Sequence, residues 1–152
     1  MSKEEPEFAA GSIVITSDTL EIDNQRSLVI FTDNVNAQKD DVNIKCQQML
    51  VYYKNQAAEG KKEDMKVSID RIVVSGNVRI TSDNGIQANA EKAVYYHDQE
   101  KVILSGNPIV KQGNDFVEGS EITLFLKEKR STVLGSEDNR VRAVIFPRKE
   151  KR

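Results

Sequence analysis

The sequence predicts an all-β fold, assembled from about sixteen short antiparallel strands, and three observations carry that expectation. An apolar run followed by a tight turn ending in Asn occurs three times, as Leu28-Val29-Ile30-Phe31-Thr32-Asp33-Asn34-Val35, Ile72-Val73-Val74-Ser75-Gly76-Asn77-Val78 and Val102-Ile103-Leu104-Ser105-Gly106-Asn107-Pro108-Ile109, with a weaker echo at Thr132-Val133-Leu134-Gly135-Ser136. Between turns, apolar and polar residues alternate with the period of two that marks half-buried strands. The turns themselves are rich in Asn, Asp and Gly and fall at even spacing, the habit of a sandwich, barrel or jelly-roll.

Taken in order, the alternation delimits strands at Ser12–Thr16, Thr19–Asp23, Ser27–Thr32, Val35–Gln38, Val42–Cys46, Met49–Tyr53, Lys66–Val74 and Val78–Thr81. It continues with Gly85–Asn89, Lys92–Tyr96, Lys101–Leu104, Pro108–Lys111, Phe116–Gly119, Glu121–Leu126, Ser131–Leu134 and Arg140–Phe146. Residues such as Asp23-Asn24, Asp40-Asp41, Asp83-Asn84-Gly85 and Gly113-Asn114 separate them, because Asx side chains cap their own turns and Gly accepts positive φ. Lys54–Asp64 is the long polar interruption and reads as an exposed loop. Gln87–His97 has the Ala, Glu and Lys of a helix. Its alignment with the alternating segment Gly119–Leu124 makes a strand the better expectation.

One repeat cannot bury its own apolar face, so successive repeats must stack. Aligned on the turns, Leu20/Ile22, Leu50/Tyr52, Ala93/Tyr95 and Ile122/Leu124 fall on one side of their strands, and Val29/Phe31, Ile72/Val74 and Val102/Leu104 on one side of theirs. The expectation is two facing apolar ladders about 10 Å apart. Residues 11–147 form one domain, 1–10 are expected to be a disordered N-terminal segment, and 148–152 a charged tail.

Composition narrows the chemistry. The 22 Lys and Arg against 24 Asp and Glu leave a formal charge of -2, which gives no general attraction for nucleic acid or an anionic bilayer. No apolar run approaches the roughly 20 residues that span a membrane as a helix. The opening Met1-Ser2-Lys3-Glu4-Glu5 lacks the apolar core of a secretory signal, so export implies a signal already removed. His97 is the sole histidine and Cys46 the sole cysteine, which removes multi-His or Cys-rich metal sites and any internal disulfide. Glycines stand singly at turns instead of clustering into a phosphate cradle, and the acidic pairs Asp40-Asp41 and Glu63-Asp64 lie in loops. No catalytic residue, metal or cofactor is expected. His97 reads as a solvated turn residue, and Cys46, inside the alternating Val42–Cys46, as a small buried apolar side chain.

Three long segments carry a resemblance: Val102–Gln112, Val117–Glu128 and Asn139–Pro147 in the C-terminal half, with Ile15–Asp23 and Phe31–Val35 in the N-terminal half. In order and spacing, from about Gly11 to Pro147, they resemble the LptA, OstA-like family of periplasmic lipopolysaccharide-transport proteins. The resemblance implies a twisted open β-jellyroll, or β-taco, whose apolar groove takes the acyl chains of lipid A, in a non-enzymatic bridge between inner and outer membranes. It also implies head-to-tail assembly, with LptC at one end and LptD at the other. Asp33 departs from the Gly of the other two turns, so its geometry is expected to differ.

On that footing the groove residues are Leu20, Ile22, Val29, Phe31, Leu50, Tyr52, Ile72, Val74, Ala93, Tyr95, Val102, Leu104, Ile122 and Leu124. Unpaired edge strands recruit other chains, so Ile13 and Ile15 at one end and Val141, Ala143 and Ile145 at the other are the expected joints, with Pro147 and the tail limiting one of them. Each CH₂ taken from water contributes about 0.8 kcal/mol, so full sequestration of several acyl chains would hold a lipid too tightly for release. A partly open groove is expected. A sister protein of the LptC type, an oligomerising β module without ligand, and a glycan-binding β protein are the alternatives, the last poorly supplied by four Tyr and no Trp.

Overall fold

The computed structural model describes residues 12–56 and 66–147. Twelve strands are found among them, β1 (Ile13–Thr16), β2 (Thr19–Asp23), β3 (Leu28–Lys39), β4 (Val42–Gln56), β5 (Lys66–Ser82), β6 (Ile86–Tyr96), β7 (Lys101–Ser105), β8 (Ile109–Gln112), β9 (Asp115–Glu118), β10 (Glu121–Phe125), β11 (Arg130–Leu134) and β12 (Arg142–Val144). All join one antiparallel sheet. The count falls below sixteen because four pairs of expected strands are continuous: β3, β4, β5 and β6 each run through a bend that looks like a turn in the sequence. The helix-like segment 87–97 is indeed strand, as β6. Lys54–Gln56, expected in a loop, extends β4, and the C-terminal strand shrinks to Arg142–Val144. The remainder of that loop, 1–11 and 148–152 lie outside the described residues.

The bends line up across the sheet and crease it. At the crease β3 and β5 slip register between Thr32 and Val35 and between Ser75 and Val78, the mark of a β-bulge. Asp33 and Asn34 stand at φ 67° and 51°, Gly76 and Asn77 at 85° and 48°, and Gly106 and Asn107 at 78° and 55°. The three repeated turns therefore share one left-handed geometry, and Asp33 adopts it despite lacking the freedom of Gly, because Asp and Asn tolerate this region better than most residues. Hydrogen bonding continues over the crease, from Asp18 N–H to the Asp33 carbonyl (2.9 Å), Glu91 N–H to Gly106 (3.1 Å) and Ser120 N–H to Leu134 (2.8 Å).

The crease divides the sheet into two leaves. Leaf A runs β2, β3, β4, β5, β6, β7, β10, β11 and leaf B runs β1, β3, β4, β5, β6, β8, β9, β12. One core cluster draws residues from both, with Phe31, Met49, Ile72, Val74, Ala93, Leu104 and Ile122 from leaf A against Val35, Ala37, Cys46, Val78, Ala88 and Ala90 from leaf B. The leaves thus fold face to face, large side chains of one meeting small ones of the other.

Close packing at the crease explains the glycines. A Cβ on Gly106 would stand 2.5 Å from Cβ of Glu91, which has no room to yield beside its own backbone. Gly106→Ala is expected to cost about 1–3 kcal/mol through this clash and the left-handed backbone. Asp33→Gly, at the same place in the first repeat, is expected to stay within about 0.5 kcal/mol. Urea denaturation of the two variants checks the contrast.

Candidate functional site

Between the leaves lies an apolar wedge whose burial depends on distance from the crease. The innermost row is sealed: Leu104 is 0 % exposed and Ile122 and Met49 1 %, with Phe31, Val74, Ala93, Val35, Cys46, Val78, Ala90 and Pro108 also buried. One step outward, Val29, Val51, Tyr95, Val102 and Leu124 on leaf A and Ile44, Ile80 and Val110 on leaf B are only partly covered while still packed on the core. At the β2 edge of leaf A the wall lies open, Leu20 being 54 % and Ile22 60 % exposed. The interior is a wedge, closed at its root and apolar to its rim.

Register fixes which residues share this wall, since paired residues in an antiparallel sheet present their side chains to the same face. One row joins Leu20, Phe31, Met49, Val74, Ala93, Leu104, Ile122 and Val133, and the next joins Ile22, Val29, Val51, Ile72, Tyr95, Val102 and Leu124. Twelve of the fourteen residues expected in the groove sit in these two rows. The expected pair of facing ladders needs correction, because all of them belong to leaf A. The facing wall is leaf B, with Ile15, Ala37, Ile44, Ile80, Ala88 and Val110.

Leu50 and Tyr52 do not face the groove. They pair with Ile30 and Val73 and with Leu28 and Arg71 on the outer face of leaf A, and Met49 and Val51 take the inner positions. Phe31, Val74, Ala93, Leu104, Ile122 and, at 9 %, Ile72 are sealed against the core, so the accessible part of the expected set is Leu20, Ile22, Val29, Tyr95, Val102 and Leu124. Of the expected joints, Ile13 and Ile15 lie on β1, which among the described residues pairs only with β3, and Ala143 lies on β12, which among them pairs only with β9. Val141 and Ile145 flank β12 outside the ladder, Ile145 being 70 % exposed.

Little in the site titrates. Burial, and then the charge of Glu100, raise the Tyr95 phenol above its ordinary value, and its oxygen lies 3.1 Å from His97 Nδ1. His97 is exposed at the β6–β7 turn, as expected. Cys46 is buried at the crease, where desolvation pushes its thiol up to about 11 against weaker pull from the Gln48 and Ser75 backbone. A thiol so placed is packing, since nucleophilic chemistry needs the thiolate. A hollow at the crease is lined by Asn34, Asn36, Lys45, Gln47, Gly76 and Asn77 together with the core residues Val35 and Cys46.

A creased sheet with an apolar wedge matches known proteins along its length. Residues 14–130 match the family model described as LptA/(LptD N-terminal domain) LPS transport protein. The chain belongs to this family. It is 28 % identical over 137 residues to the lipopolysaccharide export system protein LptA of Haemophilus influenzae, covering 89 % of this chain and 77 % of that one. To LptA of Escherichia coli K12 it is 26 % identical over 137 residues, covering 89 % and 71 %. The crystal structure of LptH, described as the LptA-homologous periplasmic component of the lipopolysaccharide transport device of Pseudomonas aeruginosa, superposes with a TM-score of 0.73, covering 90 % of this chain and 96 % of that one. At 15 % identity that likeness is one of fold, and it shows the LptA-type creased sheet.

The all-β fold agrees with what the repeats predict, and the family membership with what the resemblance implied. The family is one of transport proteins. Among the described residues no helix is long and apolar enough to cross a membrane.

Proposed function

We propose that this protein is a non-enzymatic lipopolysaccharide carrier of the periplasm, which holds acyl chains of lipid A in the outer half of the wedge. The graded burial carries the proposal. A side chain that is half covered in the free protein gains contact area when a hydrocarbon chain lies along it, whereas a sealed residue gains none. The acyl chains would rest on Val29, Tyr95, Val102 and Leu124 of one leaf and Ile44, Ile80 and Val110 of the other, entering beside Leu20 and Ile22. A shallow seat of this kind suits a carrier that must also let go.

The same proposal covers partners. β1 and β12 end leaf B on opposite sides, so β12 of one protomer adding to β1 of the next would extend the sheet and keep the wedge in line. Such a head-to-tail joint does not close on itself and so builds a bridge, whose terminal edges would meet LptC and LptD. Extraction of the protein from lipopolysaccharide-producing cells, followed by mass spectrometry, tests the carrier. Bound lipid A is expected, and its repeated absence under gentle conditions would count decisively against the proposal.

A further inference from the structure

The outer face of leaf A carries a row that the groove does not use. Register places Tyr52 opposite Arg71, Arg71 opposite Tyr96, Tyr96 opposite Lys101, Lys101 opposite Phe125 and Phe125 opposite Arg130, so that ring and cation alternate across β4, β5, β6, β7, β10 and β11. The cations lie on the rings. Arg71 Cζ is 3.9 Å from the centroid of Tyr52, Arg130 Cζ 4.0 Å from Phe125 and Lys101 Nζ 5.4 Å from Tyr96. Because strands are about 4.8 Å apart, cations recur about every 9.6 Å along this row.

Two further features locate the row functionally. Tyr96 and Lys101 are the last pair before one tight turn, and Phe125 and Arg130 the last before another, so over β6, β7, β10 and β11 the row runs along the rim of leaf A, directly behind the half-open Tyr95, Val102 and Leu124, while β4 and β5 continue four pairs beyond Tyr52 and Arg71. The rim of leaf B is different. Its turns hold Asp40, Asp41, Asp83 and Asp115 against Lys39 and Lys111.

We propose that this rim row of leaf A, Arg71, Lys101 and Arg130 held over Tyr52, Tyr96 and Phe125, receives the phosphorylated sugar head of the lipid whose acyl chains occupy the wedge. The inference rests on the carrier function and specifies where its ligand's polar end lies. An anionic head emerging from the wedge meets more carboxylates than cations in the turns of leaf B, whereas the turns of leaf A, which hold Asp23, Asp98, Glu100 and Glu128, are bordered by the spaced cations of this row and by Arg26, Lys127 and Lys129. Ring faces beneath the cations suit the apolar faces of sugar rings, and rings also hold guanidinium groups flat and outward. Neighbouring carboxylates moderate the charge, Asp70 lying 3.3 Å from Arg71 and Glu128 2.7 Å from Arg130, whereas Lys101 has no carboxylate within ion-pair distance among the described residues. Phosphate therefore competes with existing partners at two positions and finds the third free.

The test compares two probes, bisphosphorylated lipid A and the same lipid with its phosphates removed, on the wild-type protein and on the triple variant Arg71→Gln, Lys101→Gln, Arg130→Gln. The variant is expected to bind the phosphorylated probe at least fivefold more weakly and the dephosphorylated probe within twofold of wild type. Raising salt is expected to weaken only the wild-type complex with the phosphorylated probe. Unchanged binding of the phosphorylated probe by the variant, or equal loss of both probes, would overturn the inference and leave the carrier function standing. Wild type binding neither probe would overturn the carrier function, and the inference with it.

Discussion

Glu in place of Leu124 is expected to prevent lipid loading in a protein that still folds, while Glu in place of Ile122, two residues away on the same face of β10, is expected to destroy the fold. Ile122 is 1 % exposed in the sealed row, so a carboxylate there loses its water and meets only hydrocarbon. Even protonated, such a group costs several kcal/mol, against a total stability of about 5–15 kcal/mol for a domain. Leu124 is half covered and reaches the open part of the wedge, where a carboxylate keeps contact with water. Its cost to stability is expected to be about 1–2 kcal/mol. Its cost to loading is larger in effect, because an acyl chain laid beside it must strip that carboxylate of water, so affinity should fall more than tenfold, about 1.4 kcal/mol or more. Circular dichroism on thermal unfolding separates the two variants, and lipid content by mass spectrometry reads the loading. Normal lipid content in folded Leu124→Glu would remove the outer row from the binding surface.

The second large effect concerns the joint between protomers. β12 has three residues and, among the described residues, pairs on one side only, so the backbone groups on its far side can accept a strand of a neighbouring protomer. Adjacent strand residues point their N–H groups to opposite sides, so of Ala143→Pro and Val144→Pro one removes an outward donor and the other an inward donor. One variant is expected to lose concentration-dependent assembly, with an association constant at least tenfold lower, while its thermal stability stays near wild type; the other is expected to lose stability as well. Sedimentation at increasing concentration reads the assembly, and wild-type assembly in both variants would exclude β12 as the joint.

The strand content and the apolar rows were legible because alternation survives in segments such as Ile122-Thr123-Leu124 and Val102-Ile103-Leu104, whose turns are unambiguous. The facing of β4 was not. Met49-Leu50-Val51-Tyr52-Tyr53 is apolar at every position, so periodicity cannot say which residues point inward, and a single step exchanges the faces. What decides it is the irregularity between Lys45 and Gln48 at the crease, a matter of pairing with β5. The continuity of the long strands was hidden for a related reason. Asp33-Asn34 and Gly76-Asn77 have the composition of a reversing turn, and only the hydrogen bonds of their neighbours carry the strand onward. The cation and ring row was invisible, because Tyr52, Arg71, Tyr96, Lys101, Phe125 and Arg130 come together through register alone.

Seven of the eleven strand pairings among the described residues join consecutive strands, β3 with β4, β4 with β5, β5 with β6 and β6 with β7 among them. Loop closure is therefore cheap at each of these hairpins, which favours their early formation. Each hairpin templates its successor as the polypeptide emerges, so the molecule can grow in one direction without waiting for its far end.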